Sequence, residues 1–214
     1  LYAACAELRA RLAAAAGVPV EAVTLANGVL TAPGISRPIS ELVGNGLSVE
    51  GATEPGESNQ RFNQTSYGAH FCEVRVHAVT GEVRVLRWTS VFAAGRILNL
   101  QTAISQAIGG VVFGIGGALT EELVHDPRTG KIVNRDLGEY HVPAHADIPA
   151  IDIQFLEERD PVANPLHAKG VGELGVCGAG AAVANAVYNA TGVRVRQFPI
   201  TLDKLLPGLP PVAG

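Results

Sequence analysis

The sequence contains no methionine, and its first residue, Leu1, falls inside a helical pattern. A complete gene product starts with Met, and an export signal carries a charged start and an apolar stretch. Both are missing, which predicts a piece of a longer polypeptide. Charge is scarce: 17% of residues, against roughly 25% in an average soluble domain. With 47% hydrophobic residues, this predicts a well-buried fold with some surface covered by other protein. The net charge is −4, and neither a basic stripe nor a like-charge block is present. No nucleic-acid partner and no membrane-surface patch are therefore expected. The longest apolar run, Ala107 to Leu119, has 13 residues. That is short of the ~20 needed to cross a bilayer, so no membrane span is expected. The three cysteines, Cys5, Cys72 and Cys177, are odd in number and form no CxxC. They indicate neither a zinc nor an iron–sulfur site and read as buried thiols. They do not separate cytoplasm from periplasm.

What is there is a mixture of helical and strand patterns. Leu1, Cys5, Leu8 and Leu12 recur at helical spacing up to Gly17. Two short strands flank Asn27-Gly28, and a short helix is expected at Ile39 to Val43. Ala52 to Thr65, with Glu54-Pro55-Gly56, reads as a polar loop and a sub-boundary. The strongest hairpin runs from His70 to His77, turns at Thr80-Gly81 and returns from Val83 to Val91. Its expected inward set is Phe71, Val74 and Val76 with Val83, Val85 and Trp88, allowing for a bulge. Leu98 to Leu123 is helical but holds Gly109, Gly110, Gly114, Gly116 and Gly117. Each interior glycine costs a helix ~1 kcal/mol relative to Ala, so close approach of another backbone is expected. A strand at Ile151 to Leu156, an Ala-rich helix from Gly178 to Ala190 and a last strand at Val193 to Phe198 complete the chain. Without a regular βαβ alternation, the fold class is α+β.

Gly170-Val171-Gly172-Glu173-Leu174-Gly175 fits GxGxxG. The dinucleotide fingerprint also needs a hydrophobic strand before it and an acid roughly 20 residues after it, and neither is present. Glu173 has two readings of its own. A carboxylate among flexible glycines, buried beside apolar neighbours, is a competent proton acceptor near neutral pH. An acid in the first turn of the following helix is the commoner explanation of the residue type by itself. His141 and His145 are separated by Pro143, which forbids the helix that would place them on one face, and a third well-spaced ligand is lacking. No metal ligands are therefore assigned.

Several anchors carry a likeness that no single motif does. They are Thr80-Gly-Glu-Val-Arg84, Ala94-Gly95-Arg96-Ile-Leu-Asn99, Gln106-Ala-Ile-Gly109-Gly110, Tyr140-His-Val-Pro143, Lys169-Gly-Val-Gly-Glu173 and Pro199-Ile-Thr-Leu. In this order they resemble the C-terminal part of the molybdopterin-binding domain of the molybdenum hydroxylases, the xanthine dehydrogenase/aldehyde oxidoreductase family. The wording is most similar to the bacterial periplasmic-type aldehyde oxidoreductases. The resemblance implies one domain portion over residues 1–214 and a molybdenum cofactor, in its molybdopterin cytosine dinucleotide form. It implies Glu173 as the base beside the molybdenum, with Gln106, Gly170, Val171 and Gly172 against the cofactor. It implies aldehyde oxidation with water as oxygen donor, on a small aldehyde or N-heterocycle, with electrons passing to iron–sulfur clusters. The implied partners are the remaining molybdenum-subunit segments, an iron–sulfur subunit and an FAD subunit. Alone, the chain is expected to be inactive. The alternative is a non-catalytic scaffold that keeps the fold without the cofactor.

Overall fold

A computed structural model describes residues 1–54, 56 and 58–211. It divides into two compact units, Leu1–Arg61 and Phe62–Gly214. The first begins with helix α1 (Tyr2–Ala16), which stops where Gly17 adopts φ +71° and returns its N–H to the last turn. Strands β1 (Thr24–Ala26), β2 (Val29–Ala32) and β3 (Ile35–Pro38) form an antiparallel sheet, followed by helix α2 (Ile39–Leu42). Asn27 and Gly28, at φ 50° and 76°, make the first turn, as an Asn-Gly hairpin requires. The third strand goes beyond the two expected. Its signal is Pro33-Gly34, with Gly34 at φ 76°, the pairing a type II turn favours. Leu12, Ala13, Val23 and Leu30 form this unit's buried centre. A single helical turn, α3 (Ser58–Arg61), interrupts the expected polar loop. Pro55 of that loop lies outside the described residues.

The second unit is a three-stranded sheet with two long helices on one face. Strands β4 (Tyr67–Val76) and β5 (Val83–Ala93) form the hairpin, and β6 (Ala150–Phe155) adds parallel to β5. Helix α4 (Leu100–Leu119) and helix α5 (Ala179–Thr191) cover it. Trp88, Phe92, Val111, Ile115, Val183 and Val187 form the buried centre between them. The bulge falls on β5, not β4: Glu73 faces Arg87 and Val74 faces Val85, which leaves Leu86 without a partner. The inward face of β4 is therefore His70, Cys72, Val74 and Val76. Phe71, expected inward, points out and is 62% exposed.

Asn99 caps α4, its side chain accepting from the Thr102 N–H at 3.1 Å. By length and composition α4 could cross a bilayer. Here one stripe of it, from Ala103 through Ala118, is buried against the sheet and α5. Its glycines divide by surroundings. A methyl on Gly110 would lie 2.7 Å from the Val176 nitrogen and 2.8 Å from Gly175 backbone atoms, so here another backbone does approach. One on Gly114 would strike Ala179, whereas Gly109 and Gly117 face open space. Residues 193–198 form no strand. They follow α5 without joining either sheet, and Val193 and Val195 pack on the core. Their backbone finds other partners: the Val193 N–H donates to Thr191 Oγ1, and the Gln197 carbonyl accepts from Lys204 Nζ.

Candidate functional site

The site assembles where the Gly95 turn meets the segment leading to Glu173. Gly95 pairs with Ala168 in an antiparallel bridge; the Arg96 N–H donates to the His167 carbonyl at 2.7 Å, and the Lys169 N–H donates to the Ala94 carbonyl at 2.9 Å. Gly95 sits at φ +65° with the His167 carbonyl against it, so no side chain fits there. The Lys169 side chain is 8% exposed and reaches Glu158 at 3.0 Å and Asp160 at 3.6 Å. Burial alone would lower the Lys169 pKa, but Glu158 and then Asp160 outweigh it and hold the ammonium above its ordinary value. The Gly95 N–H, 2.9 Å from Glu158 Oε2, and then Lys169 hold the Glu158 carboxyl below the usual carboxylate range. Asp160 is lowered first by the Val162 N–H. Two chain segments more than 60 residues apart are thereby pinned at one point.

Beyond this clamp lies a cleft of about 410 Å³, lined among others by Arg96, Asn99, Thr102, Gln106, Val171 and Gly172. Gln106 Nε2, from the second turn of α4, donates to the Gly172 carbonyl at 2.9 Å. A second cleft of about 620 Å³ shares Thr102, Gln106 and Gly172 with the first and runs along Ser105, Gly109, Phe113 and Val176. Of the residues nominated from sequence, Gln106, Val171 and Gly172 come together here. Gly170 flanks them, its carbonyl held by Ser66 Oγ at 2.6 Å. Gly170 and Gly172 have no heavy atom near where a side chain would begin, so their backbone is open to a ligand.

Glu173 lines neither cleft. It is exposed, and no hydrogen bond or ion pair to its carboxylate is found among the described residues. The apolar enclosure expected around it is absent among the described residues: Glu173 points out, while the next residues turn inward, Leu174 onto the core and Gly175 against Ala107 and Gly110. Nor is Glu173 a first-turn acid: α5 starts at Ala179, six residues on, and its first turn holds no acid.

The far end of the segment is anchored to the sheet. His70 Nε2 lies 2.9 Å from the Cys177 carbonyl, and His70 Nδ1 lies 2.8 Å from Ser90 Oγ. Trp88 Nε1 donates to the same Ser90 oxygen at 2.8 Å. Trp88 and Ser90 are both fully buried. Among the described residues no three His, Cys, Asp or Glu side chains are placed to hold a metal ion, His141 and His145 included. From sequence Arg96, Asn99 and Lys169 are anchors of the family likeness alone, His70 is one of several scattered histidines, and Ser90 carries no signal of its own. Alternation on β4 and β5 was the available signal, since it puts both polar residues on an otherwise apolar inner face.

The family described as "Molybdopterin cofactor-binding domain" matches residues 1–149, stopping short of Gly170 to Glu173. The aldehyde oxidoreductase molybdenum-binding subunit PaoC of Escherichia coli (strain K12) is 51% identical over 213 residues. That alignment takes in 99% of this chain and 29% of PaoC, so the chain spans under a third of that relative. The crystal structure of quinoline 2-oxidoreductase from Pseudomonas putida 86 superposes with a TM-score of 0.73 at 23% identity, over 96% of this chain and 28% of that one. The aldehyde oxidoreductase from Desulfovibrio desulfuricans ATCC 27774 superposes with a TM-score of 0.61 at 33% identity, over 68% of this chain and 16% of that one. The chain belongs to the molybdopterin cofactor-binding domain family of the xanthine dehydrogenase/aldehyde oxidoreductase group, the molybdenum hydroxylases.

Proposed function

We propose that this chain carries the proton-accepting segment of a molybdenum hydroxylase that oxidises aldehydes to carboxylic acids with water as oxygen donor. The observation that carries the reading is the 2.9 Å bond from Gln106 to Gly172, which joins two anchors 66 residues apart at the rim of one cleft, one residue before Glu173. The cleft suits an organic cofactor rather than a bare ion. It offers amide groups and open glycine backbone, and no cluster of metal-ligating side chains stands among the described residues. When bound, the molybdenum cofactor supplies the two-electron oxidation. Gln106 holds the Gly172 carbonyl and so fixes the backbone on which Glu173 rides, while Val171 and Gly172 present backbone along the cleft wall. The Glu173 carboxylate accepts the proton released as water-derived oxygen is transferred. A carboxylate does this well near neutral pH only where water is excluded. The chain leaves Glu173 exposed, so covering protein completes the site: the remaining molybdenum-subunit segments, with iron–sulfur and FAD subunits carrying electrons onward. The cytosine dinucleotide form of the cofactor is assigned on the likeness to PaoC, as is an aldehyde rather than an N-heterocyclic substrate.

The test is Glu173→Gln in the assembled enzyme. The substitution keeps the shape, and metal content should stay at the wild-type level. Turnover should fall by ~10²-fold or more, the range for loss of a general base. A metal-replete variant with near-normal turnover would show that another group takes the proton. Wild-type complexes that assemble without molybdenum would favour a scaffold role.

A further inference from the structure

We infer that His70 is a positioning residue for Glu173, acting as a one-tautomer clamp on the segment that carries it; this rests on the proposed role of Glu173. The Cys177 carbonyl can only accept, so His70 Nε2 at 2.9 Å must carry the hydrogen. In the neutral ring Nδ1 is then an acceptor, and its partner at 2.8 Å is the Ser90 hydroxyl. Ser90 Oγ can donate its one hydrogen to Nδ1 while the same oxygen accepts from the Trp88 indole N–H at 2.8 Å. The chain of bonds runs one way: Trp88 N–H to Ser90, Ser90 O–H to His70, His70 N–H to the Cys177 carbonyl. Each donor has one partner and each partner fixes the next. Because Trp88 and Ser90 are fully buried, water does not compete at that end. The ring is further held edge-on to Trp88 and Phe92, with centroids at 5.5 and 5.4 Å.

What this clamp holds is the short turn between Glu173 and α5. The Cys177 N–H donates to the Glu173 carbonyl at 3.0 Å, so Cys177 is bonded to Glu173 on one side and His70 on the other. Gly178 follows at φ +85°, with the His70 ring 3.4 Å from where its side chain would begin. With Gln106 on Gly172 in front and His70 on Cys177 behind, the exposed carboxylate has a backbone fixed at both ends. A catalytic group misplaced by about 1 Å can cost on the order of 10²-fold in rate, so rigidity here is a catalytic requirement.

Two measurements test the clamp. In the full chain, His70→Ala should speed amide hydrogen exchange at residues 174–178 by about tenfold, the effect expected for loss of one hydrogen bond. His70→Gln, whose amide N–H can still reach the Cys177 carbonyl, should restore most of the protection. Unchanged exchange in His70→Ala would overturn the clamp whatever the enzyme does. In the metal-replete assembled enzyme, His70→Ala should lower kcat by about tenfold or more with little change in KM, and His70→Gln should recover most of it. Combined with Glu173→Gln, His70→Ala should cost little further, because the group it positions is gone. An equal loss in both backgrounds would show general damage and overturn the positioning role while leaving the Glu173 reading intact. Full turnover in Glu173→Gln alone would overturn that reading instead, and the positioning role with it.

Discussion

Gly110→Ala and Gly109→Ala are the same substitution one residue apart on α4, and the structure gives them opposite signs. Adding a methyl to an interior helical glycine favours the helix by ~1 kcal/mol. At Gly109 and Gly117 nothing lies within 4 Å of the new carbon, so that gain stands alone. At Gly110 the methyl meets the Val176 nitrogen at 2.7 Å and Gly175 backbone at 2.8 Å. Backbone cannot rotate away, so the overpacking penalty, typically 1–3 kcal/mol, falls toward its upper end. Subtracting the helical gain leaves Gly110→Ala destabilised by about 2 kcal/mol. For a chain of this length each kcal/mol moves Tm by about 2–4 °C. Thermal unfolding followed by far-ultraviolet circular dichroism should place Gly109→Ala and Gly117→Ala a few degrees above wild type and Gly110→Ala several degrees below it. If Gly110→Ala is as stable as Gly109→Ala, the close contact between α4 and the Glu173 segment does not exist as described.

The thiols make a second check. Burial pushes the Cys72 thiol up to about 12, whereas Cys5 and Cys177 are exposed. A disulfide reagent near pH 8 should titrate two thiols in the folded chain and the third only after denaturation. A third concerns acid stability. Glu158 and Asp160 are held below ordinary carboxylate values, so their contribution is complete above the ordinary range and is lost as pH falls through the lowered folded values. Lys169 is held above its ordinary value, and its contribution is lost only as pH rises through the raised one. Lys169→Met removes one cause of the carboxylate shifts, so the fall in Tm between about pH 5 and pH 2 should be shallower than in wild type. An acid limb as steep as wild type would mean that Lys169 contributes nothing to those shifts.

Local chemistry was legible wherever a residue type forces a backbone choice. Gly17 ends α1 and Gly192 ends α5, both with φ above 70°, because a left-handed residue closes a helix most cheaply as glycine. Asn27-Gly28 turned as read, and alternation located the hairpin of β4 and β5. The ordered anchors placed the chain in its family, because six segments in sequence are far more specific than one GxGxxG. What sequence does not determine depends on a neighbour. Alternation cannot tell which strand of a pair holds the bulge; it lies at Leu86 on β5, and Phe71 therefore points out rather than in. Residues 193–198 have strand composition, but they join neither sheet and Val193 and Val195 pack on the core instead. For Glu173 the sequence supplies the carboxylate but not what covers it, and among the described residues the side chain is exposed. The family, the helix ends and the turns follow from sequence because each is set within a few residues or by ordered motifs. The Gln106–Gly172 and His70–Cys177 contacts join residues 66 and 107 positions apart, and only the packing of α4 and α5 on the sheet brings them within hydrogen-bonding distance.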